Sequence, residues 1–254
     1  MSVEVIRAAN LAAIPHGFLG RRGGVSVGEL EGLNVGYGSG DDHAAIAENR
    51  RRAIGAVLAG AELATVHQVH SADVVAVEQP WAQDERPRAD AMITNRPNLL
   101  LGILTADCAP VLLADAEAGV VGAAHAGWRG ALAGVTDSTI AAMEALGAKR
   151  ERIAAAVGPC IGAASYEVDE AFRERFFDQD SSNDRYFVTG SAKPHFNLEA
   201  YVVARLEAAG IASVEALGLD TYSDPARYFS YRRATHRGEA DYGRQLSCIA
   251  LPDS

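Results

Sequence analysis

The chain has 254 residues, of which 48% are hydrophobic and 22% charged, enough to bury a substantial core within one domain. A formal net charge of −10 argues against a broad nucleic-acid or anionic-membrane surface, which clustered Lys and Arg would have to supply. It still leaves room for a small anionic substrate at a local arginine cluster such as "ENRRR" or "SYRR".

In chain order, the glycine-rich stretch over residues 16–42 reads as strand ends joined by turns, and "DDHAAIAENRRRAIGAVLA" reads as a helix capped by Asp41 or Asp42. "ATVHQVHSADVVAVE" alternates as a strand pair with a turn near Ser71–Asp73. Strands are expected over Asp90–Thr94, Leu99–Thr105, Val111–Asp115 and Val120–His125, and a helix over Gly130–Leu146. "RIAAAVGP" is a further strand, and "VDEAFRERFFDQ" and "FNLEAYVVARLEAAG" are amphipathic helices. The segment from "VEALGLDTY" through "RYFSYRRAT" to "YGRQLSCIALP" returns to sheet. No repeat or linker divides the chain, so one α+β domain with mixed sheets and outer helices is expected over residues 1–254. The strands read mostly as hairpins, which argues against a doubly wound sheet.

Three cysteines, Cys108, Cys160 and Cys248, are too few and odd in number for a disulfide framework and point to a reducing compartment. No secretory signal is evident at the start, and no run of about 18 apolar residues occurs, so a cytoplasmic protein without a membrane span is expected.

Candidate site residues come from strand ends. Of seven histidines, His67 and His70 would face opposite sides of a strand, so only one of them can point inward. His70, beside Ser71, is the better placed. Cys108 lies where one strand ends and the chain turns, and His125 closes the strand "VVGAAH". Two histidines and a thiolate are a donor set for a catalytic zinc with an open fourth position. The alternative is three unrelated residues, since a free cysteine commonly serves as a small buried hydrophobe.

Arg50, Arg129, Arg232 and Arg233 lie beside small or aromatic residues where a guanidinium can grip phosphate, although most arginines are simply solvated. Asp107 either steers a ligand or satisfies turn amides. "GVSVGELEGLNVGYGSG" matches neither standard phosphate-loop pattern and reads as turns. The aromatics of "RYFSYRR" suit a strand core or a stack on a planar base.

Together "HQVH", "TADCAPVLLAD", "GAAHAGWRG", "VGPCIGAASYEV" and "FSYRR…GRQ" resemble the YfiH-like family, also called the polyphenol oxidoreductase or laccase-domain family, along almost the whole chain. The resemblance implies a two-sheet sandwich flanked by helices and a zinc site on His70, Cys108 and His125. It implies phosphorolysis of adenosine, inosine, guanosine and methylthioadenosine, with adenosine deamination. A nucleoside and phosphate would be the partners, with Arg50, Arg129 or Arg233 orienting the phosphate. Relatives commonly carry Cys-Thr-Tyr where this chain has Asp220–Thr221–Tyr222, so a role for that further thiol is not available here.

Two other readings stand beside it. One is an amidase editing peptidoglycan precursors, with Cys108 as nucleophile and His125 or His70 as base. The other is a non-catalytic zinc- or nucleotide-binding protein. A four-copper oxidase is not expected from seven histidines, although copper outcompetes zinc for N/S donors and can occupy such a site adventitiously.

Overall fold

The structure, a computed structural model, describes residues 2–188, 190 and 192–252. Its strands begin with β1 (Val5–Ile6), β2 (His16–Leu19), β3 (Glu62–Ala64), β4 (Val74–Ala76), β5 (Ala91–Thr94) and β6 (Leu99–Thr105). They continue with β7 (Ala109–Asp115), β8 (Val120–Ala126), β9 (Ala154–Val157), β10 (Phe187–Val188), β11 (His195–Phe196), β12 (Ser213–Ala216) and β13 (Gln245–Ile249). The helices are α1 (His43–Val57), α2 (Trp128–Ala133), α3 (Val135–Ala145), α4 (Glu170–Gln179), α5 (Leu198–Ala208) and α6 (Tyr231–Arg237).

Two mixed sheets carry the fold. One has five strands in the order β1-β2-β13-β6-β3, and the other six in the order β12-β9-β7-β8-β5-β4. Strand parity builds four layers from them. Leu101 and Ile103 of β6 meet Leu112 and Ala114 of β7 and Ala123 of β8 in a core between the sheets. Leu100, Leu246 and Cys248 point the other way, onto Ala53 of α1. Val111, Leu113 and Ala124 leave the opposite face of the second sheet toward Ile140, Met143, Phe176 and Val202 of the outer helices. The long buried strands read as uninterrupted apolar runs because both faces are covered. A single α+β domain of two mixed sheets and flanking helices is therefore observed, and the sheets are not doubly wound.

Four local readings change. β7 and β8 form a true hairpin, but β5, β6 and β7 alternate between sheets and make no meander. The segment read as a strand pair around Ser71 is two short strands, β3 and β4, in different sheets, and residues 68–73 between them are irregular. The helix expected over Gly130–Leu146 starts at Trp128 and is broken at Gly134, whose φ of 92° ends α2 and opens α3. "SYRRATHR" is helix α6 and not sheet, because the Ser230 side chain accepts the Arg233 amide hydrogen and starts a turn. At α1 the cap is Asp42, which accepts from Ala44 N. Among the described residues no helix is long and apolar enough to cross a membrane.

Candidate functional site

Two places where the chain crosses from one sheet to the other each bring a donor to the same spot. His70 lies on the crossing from β3 to β4, and Cys108 on the crossing from β6 to β7. His125, near the end of β8, is paired in register with Pro110. The ligand atoms of the three lie within 4.8 Å of one another, with Cys108 Sγ 3.8 Å from His70 Nε2. Among the described residues this is the only group of three or more His, Cys, Asp or Glu side chains so arranged.

The organiser is Asp90, fully buried just before β5. Its carboxylate accepts the amide hydrogens of Val69, His70 and Ser71 at 3.0, 2.9 and 2.6 Å. It also accepts the Ser71 hydroxyl at 3.1 Å and His125 Nδ1 at 2.8 Å. One side chain thus holds His70 in a left-handed conformation, φ 61°, and fixes the His125 tautomer with Nε2 turned to the cluster.

On the other side, Asp107 adopts φ 89° and accepts Thr221 Oγ1 and the Arg232 amide at 2.7 Å each, which presents Cys108 at the turn. Burial raises its carboxyl pKa against those hydrogen bonds. Asp107 satisfies turn groups, one of the two roles its sequence position allowed.

Glycines in "HAGWRG" make the room. A Cβ on Gly127 would sit 2.7 Å from His70 Cδ2 and 3.0 Å from Cys108 Sγ. One on Gly130 would meet the Ser71 carbonyl at 2.9 Å, so α2 packs directly on the segment that carries His70.

Burial opposes ionisation of the Cys108 thiol, but the charge of His125 and hydrogen bonds from both histidines outweigh it and bring the pKa down to about 6. Burial likewise opposes the His125 cation, and the Cys108 thiolate with Asp90 overcomes it, raising the ring to about 9. The other two thiols behave oppositely. Burial pushes both Cys160 and Cys248 upward, as expected of inert core cysteines.

The cluster sits in the wall of a cavity of about 530 Å³ that also contains Tyr37, Arg86, Tyr231, Tyr242 and Arg244. A smaller one, about 250 Å³, shares His70, Ala106, Cys108 and Tyr231 with it and is otherwise walled by Trp128, Ile161, Tyr166, Leu198, Asp107 and Arg232.

Of the arginines named from sequence, only Arg232 lines either cavity. Arg233 is buried, donating to the carbonyls of Thr221, Tyr222 and Tyr228, and lines neither cavity. Arg129 is exposed over the Trp128 ring. Arg50 lies behind the larger cavity, donating from Nε to the Val35 carbonyl and stacking on Tyr37 at 4.5 Å. Arg232 donates to the Glu167 carbonyl at 2.7 Å. Among the remaining histidines, His16 is a satisfied core residue between Ala8 N and the Ile14 carbonyl.

The family model described as multi-copper polyphenol oxidoreductase laccase matches residues 15–252. The chain belongs to this laccase-like, YfiH-type family. It is 40% identical over 251 residues to a purine nucleoside phosphorylase of Deinococcus radiodurans, covering 98% of this chain and 94% of that one. It is 41% identical over 218 residues to a purine nucleoside phosphorylase of Streptomyces coelicolor, covering 85% and 89%. Among solved structures, a Neisseria meningitidis protein of the DUF152 family superposes with a TM-score of 0.87 at 31% identity, each chain fully covered. YfiH of Bacillus licheniformis gives 0.87 at 28% identity, covering 98% of this chain and 96% of that one.

Within this laccase-like chain, sequence reasoning missed Asp90, Gly127, Arg86 and Arg244. For Asp90 the signal was an aspartate immediately before a fully buried strand, where an unpaired carboxylate would be costly. Arg86 lies in the loop "QPWAQDERPRAD", which offered no periodicity. Asp220, which departs from the pattern of relatives, accepts Gly162 N at 2.9 Å, Ser165 Oγ at 2.6 Å and Tyr222 N at 2.9 Å, and so ties loops together.

Proposed function

We propose that this protein is a zinc-dependent purine nucleoside phosphorylase acting on adenosine, inosine, guanosine and methylthioadenosine, with adenosine deaminase activity, in the cytoplasm. The observation that carries the reading is the convergence of His70, Cys108 and His125 on a cavity lined by arginines, in a chain similar over nearly its full length to proteins named purine nucleoside phosphorylase.

The donors suit a metal. His125 Nδ1 donates to Asp90 and leaves Nε2 as the ligand atom, the thiol of Cys108 tends to thiolate, and the missing Cβ of Gly127 leaves space above both. His70, Cys108 and His125 would hold zinc, which when bound supplies Lewis-acid stabilisation of developing negative charge. Copper prefers the same N/S donors and would bind there adventitiously.

In phosphorolysis a phosphate oxygen forms the new bond to ribose C1′ while the bond from C1′ to the purine nitrogen breaks. The electron pair leaves on the purine, which takes up a proton. The protein's share is to hold the dianion beside the nucleoside and exclude water. In deamination water adds at purine C6 and ammonia leaves.

A second reading has an observation of its own. Cys108, His125 and Asp90 form a thiol–imidazole–carboxylate chain, the arrangement of a cysteine hydrolase that would cleave an amide, as in editing of a cell-wall precursor. Product analysis separates the two. Protein of measured metal content is incubated with adenosine, with and without phosphate, beside Cys108→Ala and a chelated sample. Phosphate-dependent adenine or phosphate-independent inosine, lost in both controls, supports the zinc enzyme. Unchanged adenosine at full metal occupancy overturns it for this substrate, and amide cleavage that survives chelation supports the hydrolase.

A further inference from the structure

We propose that Arg86 and Arg244 form an oxyanion subsite in the larger cavity, holding a phosphate dianion against the His70–Cys108–His125 cluster. The inference rests on the nucleoside-phosphorylase reading only for which phosphate is bound. The subsite itself stands on geometry.

Acidic side chains outnumber basic ones in this chain, 33 to 23, so most guanidinium groups should find a carboxylate. Many do, yet among the described residues no ion pair involves Arg86, Arg244 or Arg50. Arg86 and Arg244 line one cavity, and Arg50 stacks on Tyr37, another residue of its wall.

Their backs are fixed and their fronts are open. Arg86 donates from Nε to the Gln83 carbonyl at 2.8 Å and from Nη1 to the Val66 carbonyl at 3.5 Å, which leaves Nη2. Arg244 spends Nη1 on the Tyr242 carbonyl at 3.2 Å, stacks on the Tyr242 ring at 4.3 Å, and keeps Nε and Nη2. Its stem runs past Gly36, where any Cβ would strike Cδ at 2.8 Å. A guanidinium held this way loses little entropy on gripping a tetrahedral oxyanion.

Arg50 adds a third positive charge from behind Tyr37, with Nη2 buried and unpartnered. Burial lowers the pKa of Arg50 to about 10, and it lowers that of Arg86, with no carboxylate to offset the desolvation of either.

The smaller cavity is the wrong place for an anion. Its walls are chiefly Trp128, Ile161, Tyr166 and Leu198, and its one guanidinium, Arg232, is accompanied by the acidic side chain of Asp107, whereas the larger cavity has, among the described residues, two guanidinium groups and no acidic residue in its wall. Phosphate on the arginine side and a flat base on the aromatic side would meet at the shared His70–Cys108 wall.

A phosphate dianion could be free or esterified, and titration calorimetry with two probes, inorganic phosphate and adenosine monophosphate, distinguishes them. Arg86→Gln and Arg244→Gln are compared with Arg22→Gln, which removes the same charge at a distant exposed pair with Glu4. Arg86→Lys and Arg244→Lys keep the charge, guard against misfolding, and should fall between wild type and glutamine. Weakening of inorganic phosphate binding by about tenfold or more in each glutamine variant, with Arg22→Gln unchanged, is expected. If only adenosine monophosphate binds and is weakened, the subsite stands but serves an esterified phosphate, and phosphorolysis loses its co-substrate. If folded variants bind both probes as tightly as wild type, the subsite is overturned, while phosphate-dependent base release would leave the phosphorylase reading intact.

Discussion

Asp90 does the work of several residues. It shapes the backbone that carries one histidine and orients the ring of another, so its loss should be felt at both. Asp90→Asn keeps the size of the side chain but loses the charge that several amides and an imidazole converge on. A drop of about 10–100-fold in metal affinity is expected, read by competition against a chromogenic chelator. Gly127→Ala is the steric counterpart. Its φ of −66° and ψ of 159° suit alanine, so only the close approach to His70 and Cys108 is tested. Metal content after dialysis should fall well below that of wild type with little change in melting temperature. A fully occupied Gly127→Ala protein would show that the cluster can open. Cys108 and His125 were legible in the sequence as candidate donors because they stand at or beside the ends of buried strands, whereas His70, on an irregular segment, was joined to them through the resemblance of the motifs. Asp90 and the two cavity arginines were not legible, because what they do depends on contacts between segments far apart in the chain.

At the scale of elements, the long buried strands and the amphipathic helices were legible because burial writes its period into the sequence. The short connections were not. Residues 67–70 alternate like a strand, but the Asp90 carboxylate takes the amides of Val69, His70 and Ser71 and no strand forms there. Tyr228 and Phe229 look like sheet until Ser230 caps α6. The β7–β8 hairpin shows the same logic at its far end. There Asp115 accepts the amide hydrogens of Glu117, Ala118 and Lys149 and pairs with Arg152 at 2.9 Å. Burial pushes its carboxyl upward, but the Lys149 and Ala118 amides and Arg152 more than offset this and hold it below the usual range. A carboxyl depressed in the folded state contributes stability above its unfolded pKa of about 3.9 and loses it as pH falls through the lower native value. Asp115→Asn should therefore be less stable at pH 7 by about 1–3 kcal/mol. Its urea midpoint should also fall less than that of wild type on acidification below about pH 4. Parallel losses in the two proteins would remove Asp115 from the acid response.

For the whole molecule, the buried core falls into three clusters, between the sheets and on their outer faces, and none of them includes a candidate ligand. Folding should not depend on a metal. The chelated protein is expected to unfold in one cooperative transition. With free zinc at a hundredfold excess over its Kd, linkage adds about 2.7 kcal/mol, or about 5–10 °C in Tm for a chain of this size. Scanning calorimetry of the two forms checks this, and an apo protein without a transition would mean that the cluster is part of the fold.

The two crossings that carry His70 and Cys108 are also the places where one sheet hands the chain to the other. An ion gripping both, together with His125 on the second sheet, would act as a rivet at the rim of the sandwich. Any sliding of one sheet over the other would then have to stretch coordination bonds. The spacing of the donors would in turn register that slip, so the packing of the sheets would gauge the chemistry at their edge.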